Sequence, residues 1–140
     1  MKYCMSFICA ACLAFAVQFA QAGVKKEIQF PRGSTSAVIE ESVIRGEQDF
    51  YYLTTKAGQT MDVVISSLEK NAVFSIYKPG YTISVDKDGL TEIKGDSLPH
   101  AGETDDATAW KGKLPVSGKY LIVVGGTRGN ATYKLKVTIH

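Results

Sequence analysis

His100 and His140 are the only histidines in the chain, and His140 is its last residue. Neither has a companion at metal-ligand spacing. A zinc site or a Ser–His–Asp triad needs several such groups to converge, so this pattern argues against both. Ser117 lacks the Gly-x-Ser-x-Gly frame of a nucleophile elbow. No P-loop or dinucleotide glycine motif is present. Glycoside hydrolysis asks only for two carboxylates that meet in space, and no pair is marked out here. Asp86-Lys87-Asp88-Gly89 begins like a calcium loop, with Glu103, Asp105 and Asp106 further on. The next acid after Gly89 is Glu92, which breaks the ligand spacing, so the segment reads as a turn with a solvated acidic loop. Asn130-Ala131-Thr132 is a formal glycosylation sequon that matters only in a eukaryotic secretory route. The expectation is a protein that is not an enzyme and has no cofactor or metal.

The most informative segment is Leu114-Pro115-Val116-Ser117-Gly118-Lys119-Tyr120, followed after six residues by Thr127-Arg128-Gly129-Asn130. A turn enters a hydrophobic strand, and that strand ends in a second turn. On turn chemistry alone, Ser-Gly supplies the bend and Tyr120 starts the strand and packs its ring. If the strand pairs antiparallel with the next, the two motifs lie at its opposite ends.

The elements around these motifs are strands. Tyr133, Leu135, Val137 and Ile139 alternate with Thr132, Lys134, Lys136 and Thr138, the period of a strand with one buried face. Met61, Val63 and Ile65 alternate likewise. Segment 119–124 is apolar on both sides, with Tyr120, Ile122 and Val124 on one face and Leu121 and Val123 on the other. That predicts a central strand. Further strands are predicted over 27–30, 37–44, 49–55, 73–77, 81–85 and 108–114. Gly-, Pro- and Asn-containing turns punctuate them, and no stretch has a helical apolar period. The predicted fold is all-β, an antiparallel β-sandwich of about eight strands. Residues 86–106 are polar and read as a long, mobile excursion between the two halves. Lys134 and Lys136 read as charges that keep an edge strand from pairing with other chains.

Ahead of these strands, Lys2 is the only charge before Lys25, an apolar run follows, and Ala20-Gln21-Ala22 closes it. This is the pattern of a cleavable secretory signal over residues 1–22, which leaves 23–140 as a single domain. An uncleaved anchor is disfavoured by the short apolar run. A lipoprotein signal ending at Cys12 lacks the usual aliphatic residue three positions earlier. All three cysteines, Cys4, Cys9 and Cys12, lie in the signal, so the exported domain is held by packing alone. Lys2 is also the only formal charge lost with it, so of 16 basic and 14 acidic residues, 15 and 14 remain. That balance makes no case for nucleic acid or for a membrane surface after cleavage.

The Pro-x-Ser-Gly-x-Tyr corner, Ala57-Gly58-Gln59 and Tyr77-Lys78-Pro79-Gly80 resemble secreted sandwich modules of the pre-peptidase C-terminal type. With a signal peptide, this size, and a Thr-Arg-Gly turn one strand later, the chain more narrowly resembles the bacterial periplasmic lysozyme inhibitors. The likeness is to the branch that acts on invertebrate-type (i-type) and goose-type (g-type) lysozymes. The resemblance implies a periplasmic protein whose partner is a lysozyme, with the i-type expected ahead of the g-type. Lysozyme cleaves peptidoglycan with carboxyl groups across a deep cleft. On that reading Ser117 offers a hydroxyl, Gly118 and Lys119 shape the loop, Tyr120 offers a ring with a polar tip, and Thr127 and Arg128 form the second contact. The Arg128 guanidinium is a planar fork suited to a carboxylate. A reading from another class is a non-catalytic carbohydrate-binding or adhesion module. A homodimer through a sheet edge or face is an assembly such a small sandwich allows.

Overall fold

The computed structural model describes residues 23–140, so the signal read over residues 1–22 lies outside the described residues. Among the described residues there is no helix. The strands are β1 (Lys25–Glu27), β2 (Ser36–Val43), β3 (Gln48–Thr55), β4 (Thr60–Ser67), β5 (Ala72–Tyr77), β6 (Thr82–Val85), β7 (Thr91–Lys94), β8 (Ala109–Lys113), β9 (Gly118–Gly126) and β10 (Ala131–Ile139). One four-stranded sheet has the order β1-β3-β9-β5, and the other β2-β10-β4-β8. Strands β6 and β7 form a separate hairpin. All pairings are antiparallel except that of β1 with β3. The fold is the all-β sandwich predicted from the alternation, with ten strands instead of about eight.

The period-two pattern sets which side chains enter the core. Tyr51 and Leu53 of β3, Ile76 of β5, and Tyr120, Ile122 and Val124 of β9 face Met61, Val63, Tyr133, Leu135 and Val137 of the other sheet. Strand β9 lies between β3 and β5, as its two-sided apolarity requires. Its second face is covered as well. Leu121 and Val123 pack with Phe50 and Tyr77 under Tyr81, Ile83 and Ile93, side chains brought by the β6–β7 hairpin and the turn leading into it.

The segment 86–106 is therefore not a free excursion. Its first part closes the hairpin. The Asp86 carboxylate accepts the N–H groups of Asp88 and Leu90 at 2.9 and 2.8 Å, so the calcium-like stretch is a hairpin turn. Its second part runs beside the free edge of β5. Leu98 N–H donates to Ile76 O, and Ile76 N–H donates to Ala101 O, both at 2.9 Å. Leu98 and Ala101 are buried there, which gives this polar stretch its anchor.

A second correction concerns β10. It is a central strand, flanked by β2 and β4, so Lys134 and Lys136 guard no edge. They occupy the solvated face of a one-sided antiparallel sheet. There Lys134 Nζ lies 3.3 Å from Glu40 Oε1 of its cross-strand neighbour.

Candidate functional site

Strand β9 connects the two motifs singled out in the sequence, and it also separates them. It extends from Gly118, opposite Thr55, to Gly125, opposite Gln48, and on to Gly126. Nine residues of extended chain span about 25 Å, so Ser117 and Arg128 lie at opposite ends of the sandwich. No single loop carries both.

At the first end the Ser-Gly-x-Tyr residues are engaged within the protein. The Ser117 hydroxyl oxygen accepts the Ala57 N–H at 2.8 Å. Gly58 N–H donates to Leu114 O and Leu114 N–H to Gln59 O, each at 2.8 Å. Gly118 has φ +141°, and a Cβ on it would sit 2.8 Å from the Pro79 ring. Tyr120 is 0% exposed. Its hydroxyl donates to Val116 O at 2.7 Å, closing the corner around the turn. Burial pushes its pKa up, and the Val116 N–H, which donates to the hydroxyl oxygen at 3.4 Å, works against that rise. Ser117 and Lys119 are exposed, Lys119 with its Nζ 5.9 Å from the centre of the Tyr52 ring. The Ala-Gly-Gln turn, the Lys-Pro-Gly turn and the Ser-Gly-x-Tyr corner are thus three faces of one joint. Their co-occurrence in the sequence is explained by contact.

This assigns Tyr120 to the fold, and a substitution tests it. Tyr120→Phe removes the hydroxyl's short bond to Val116 O and its longer one from Val116 N–H, and keeps the ring. It should cost about 1 kcal/mol of stability, read as a lower urea midpoint. Tyr120→Ala should cost about 3–5 kcal/mol through the cavity it leaves.

At the second end three loops meet. Asn71, itself buried, donates from Nδ2 to Arg128 O at 3.0 Å and to Asn130 O at 2.9 Å. Thr127 N–H donates to Asn71 O at 2.8 Å. Arg45 N–H donates to Asn130 Oδ1 at 2.8 Å. The loops 44–47, 68–71 and 127–130 are therefore stitched into one surface. Arg128 is exposed on it, with Nη2 donating to Glu69 O at 2.7 Å. Thr127 and Arg45 are exposed beside it. Two apolar side chains stand out of the same loops, Leu68 at 101% exposure and Ile44 at 53%. A guanidinium beside exposed aliphatic side chains on a braced surface makes this end a candidate for contact with another protein. The sequence singled out Thr127 and Arg128 on this surface and did not single out Ile44, Arg45, Leu68 or Asn71, which share it. The available signal was a leucine inside the polar turn Leu68-Glu69-Lys70-Asn71, where no core pattern calls for it. Among the described residues no three His, Cys, Asp or Glu side chains converge as a metal site.

The chain is thus a β-sandwich whose Arg128 end is braced by hydrogen bonds between three loops. The same architecture occurs in a periplasmic inhibitor of g-type lysozyme, PliG, from Aeromonas hydrophila. The two share 31% identity over 84% of this chain and 96% of that one, with a TM-score of 0.64. The chain belongs to this PliG family of periplasmic lysozyme inhibitors, and it is periplasmic. A PliG mutant from Escherichia coli shares the fold at 24% identity, covering 85% of this chain and all of that one, with a TM-score of 0.60. The pre-peptidase C-terminal domain of a Bacillus anthracis collagenase shares it at 15% identity, covering 83% and 96%, with a TM-score of 0.50. The earlier likeness to both groups therefore has a common basis in the sandwich. No protein-family model matches the chain, and no curated protein matches it in sequence.

Proposed function

We propose that the protein inhibits a g-type lysozyme by seating the Arg128 end of the sandwich on the catalytic cleft. The observation that carries the target is the 31% identity to the Aeromonas inhibitor, which acts on g-type lysozyme and is covered over 96% of its length. This reverses the order expected from sequence, in which the i-type stood first. The choice of end rests on availability. Tyr120 is buried with its hydroxyl bonded to Val116 O, and the exposed Ser117 spends its oxygen on the Ala57 N–H, whereas Arg128 and Leu68 are exposed on a surface braced by Asn71. Arg128 has guanidinium donors beyond the one bonded to Glu69 O, and a cleft lined by carboxyl groups is where such a fork gains most. The contact needs no second copy, since every residue it uses belongs to one chain.

Lysis of a bacterial suspension by g-type, i-type and chicken-type lysozymes, with and without the mature protein, tests the reading. Suppression of the g-type alone is expected. Suppression of the i-type without the g-type would overturn the target. Binding to cell-wall glycan with no protection from any of the three would favour the carbohydrate-binding reading.

A further inference from the structure

The first described residue is built into the fold in an unusual way. Gly23 has φ +61°, and a Cβ on it would lie 1.8 Å from Gln48 O. Only glycine fits against β3 in this pose. The Gly23 nitrogen lies 3.2 Å from Glu47 Oε2. The following N–H, of Val24, donates to Asp49 Oδ1 at 2.8 Å, and Val24 O accepts from Phe50 N–H at 2.7 Å. Asp49 is 1% exposed, and its other oxygen accepts the Tyr133 hydroxyl at 2.6 Å. Two carboxylates therefore face the Gly23 and Val24 nitrogens.

The sequence pattern puts a signal-peptidase cut just before Gly23, after Ala20-Gln21-Ala22. Hydrolysis adds one water across Ala22–Gly23, releasing the leader as a carboxylate and leaving Gly23 nitrogen as an ammonium. A neutral amide with one hydrogen becomes a cation with three. We propose that Glu47 and Asp49 form a receptor for this new α-ammonium, so that processing completes the fold. The inference rests on the reading of the chain as exported and not on the choice of lysozyme. Glu47 takes the charged hydrogen bond directly, and Asp49 adds its field from one residue further on. The other charged groups nearby act elsewhere. Lys25 holds its ammonium 5.7 Å from the centre of the Phe50 ring. Arg45 belongs to the same turn as Glu47, and Tyr133 and Tyr51 approach Asp49 from the core as neutral hydroxyls.

An ammonium held by two carboxylates binds its proton more tightly than a free one. A free α-amino group titrates at about 7.7–8.0. An opposite charge at this range in a half-exposed site should raise proton affinity about tenfold. The raised pKa fixes the sign. The stabilisation is fully present below the ordinary range and is lost as pH rises through the higher folded value.

The test uses the mature protein purified from the periplasm, with selectively labelled glycine. Its intact mass should place Gly23 first. An NMR titration should show the Gly23 amine about tenfold more basic than a free one, and Glu47→Gln should return it most of the way. Acetylating the terminus should lower the melting temperature at neutral pH, and this difference should shrink as pH rises above 9. An amine that titrates in the ordinary range with and without Glu47, or a mature chain that begins elsewhere, would overturn the proposal.

Discussion

Replacing Arg128 by alanine should raise the protein concentration needed to half-inhibit a g-type lysozyme by about thirtyfold or more. The estimate comes from the loss of a buried, charge-assisted hydrogen bond at an interface, which costs about 2–5 kcal/mol. Stability should change little. Arg128 is exposed, and its side chain makes one surface bond, to Glu69 O. The loop itself is held by Asn71 through the Arg128 and Asn130 carbonyls, which the substitution leaves in place. Ser117→Ala gives the opposite expectation. It frees the Ala57 N–H at the far end of β9, costs about 0.5–1.5 kcal/mol of stability, and leaves inhibition unchanged. Lys134→Ala, on the solvated face of β10, serves as the control. Inhibition constants and urea midpoints for the three variants decide between the ends. If Ser117→Ala weakens inhibition and Arg128→Ala does not, the cleft is met by the Ser-Gly-x-Tyr corner.

Much of the architecture was legible because it depends on local patterns. The alternation at Tyr133, Leu135 and Val137 placed a strand with one buried face, and segment 119–124 declared itself central by being apolar on both sides. Its second face is covered by the β6–β7 hairpin, which the sequence reading did not anticipate. Strand β7 itself was missed. Thr91-Glu92-Ile93-Lys94 offers one apolar residue, too few for a period. The position of β10 was misread for a different reason. Lysines on the outer face look alike on an edge strand and on a central one, and only pairing with both β2 and β4 distinguishes them.

The proposed recognition surface was legible only in part. Thr127 and Arg128 stood out as a turn with chemistry. Their neighbours did not, because the surface is made by polar bonds between distant segments. Asn71 reaches a carbonyl 57 positions away, and Arg45 bonds to Asn130 across 85. Such bonds leave no periodicity in the chain. The Ser-Gly-x-Tyr motif shows the converse. It was conspicuous because several turn residues sit close together in sequence, and those residues serve the joint with Ala57 and Pro79.

The largest loss of stability from removal of one polar atom is expected at Tyr133. Its hydroxyl donates to Asp49 Oδ2 and is also bonded to the Tyr51 hydroxyl, so three polar groups form a chain inside the sandwich. Asp49 is buried, and its remaining oxygen is taken by Val24 N–H. Tyr133→Phe keeps the ring and its packing but leaves a buried carboxylate oxygen without its donor. A hydrogen bond to a charged group contributes about 1.5–3 kcal/mol, and an orphaned buried charge lies at the upper end. Tyr51→Phe should cost less, about 1 kcal/mol, because Tyr133 can still donate to Asp49. The chain also sets the alkaline limit of the protein. Burial is the main cause that pushes the Tyr51 pKa to about 12. The Tyr133 hydrogen bond opposes this rise, and the charges of Asp49 and Glu41 add to it. Burial raises Tyr133 further still, reinforced by its bonds to Asp49 and Tyr51. An unfolded tyrosine releases its proton near pH 10. Both groups hold their protons more tightly when folded, so their contribution is complete below pH 10 and declines as pH rises towards the folded value of about 12. Urea midpoints measured from pH 8 to pH 12 should fall steeply above pH 10 in the wild type and less steeply in Tyr51→Phe. A midpoint for Tyr133→Phe equal to that of the wild type at pH 7 would show that the buried carboxylate has found another donor.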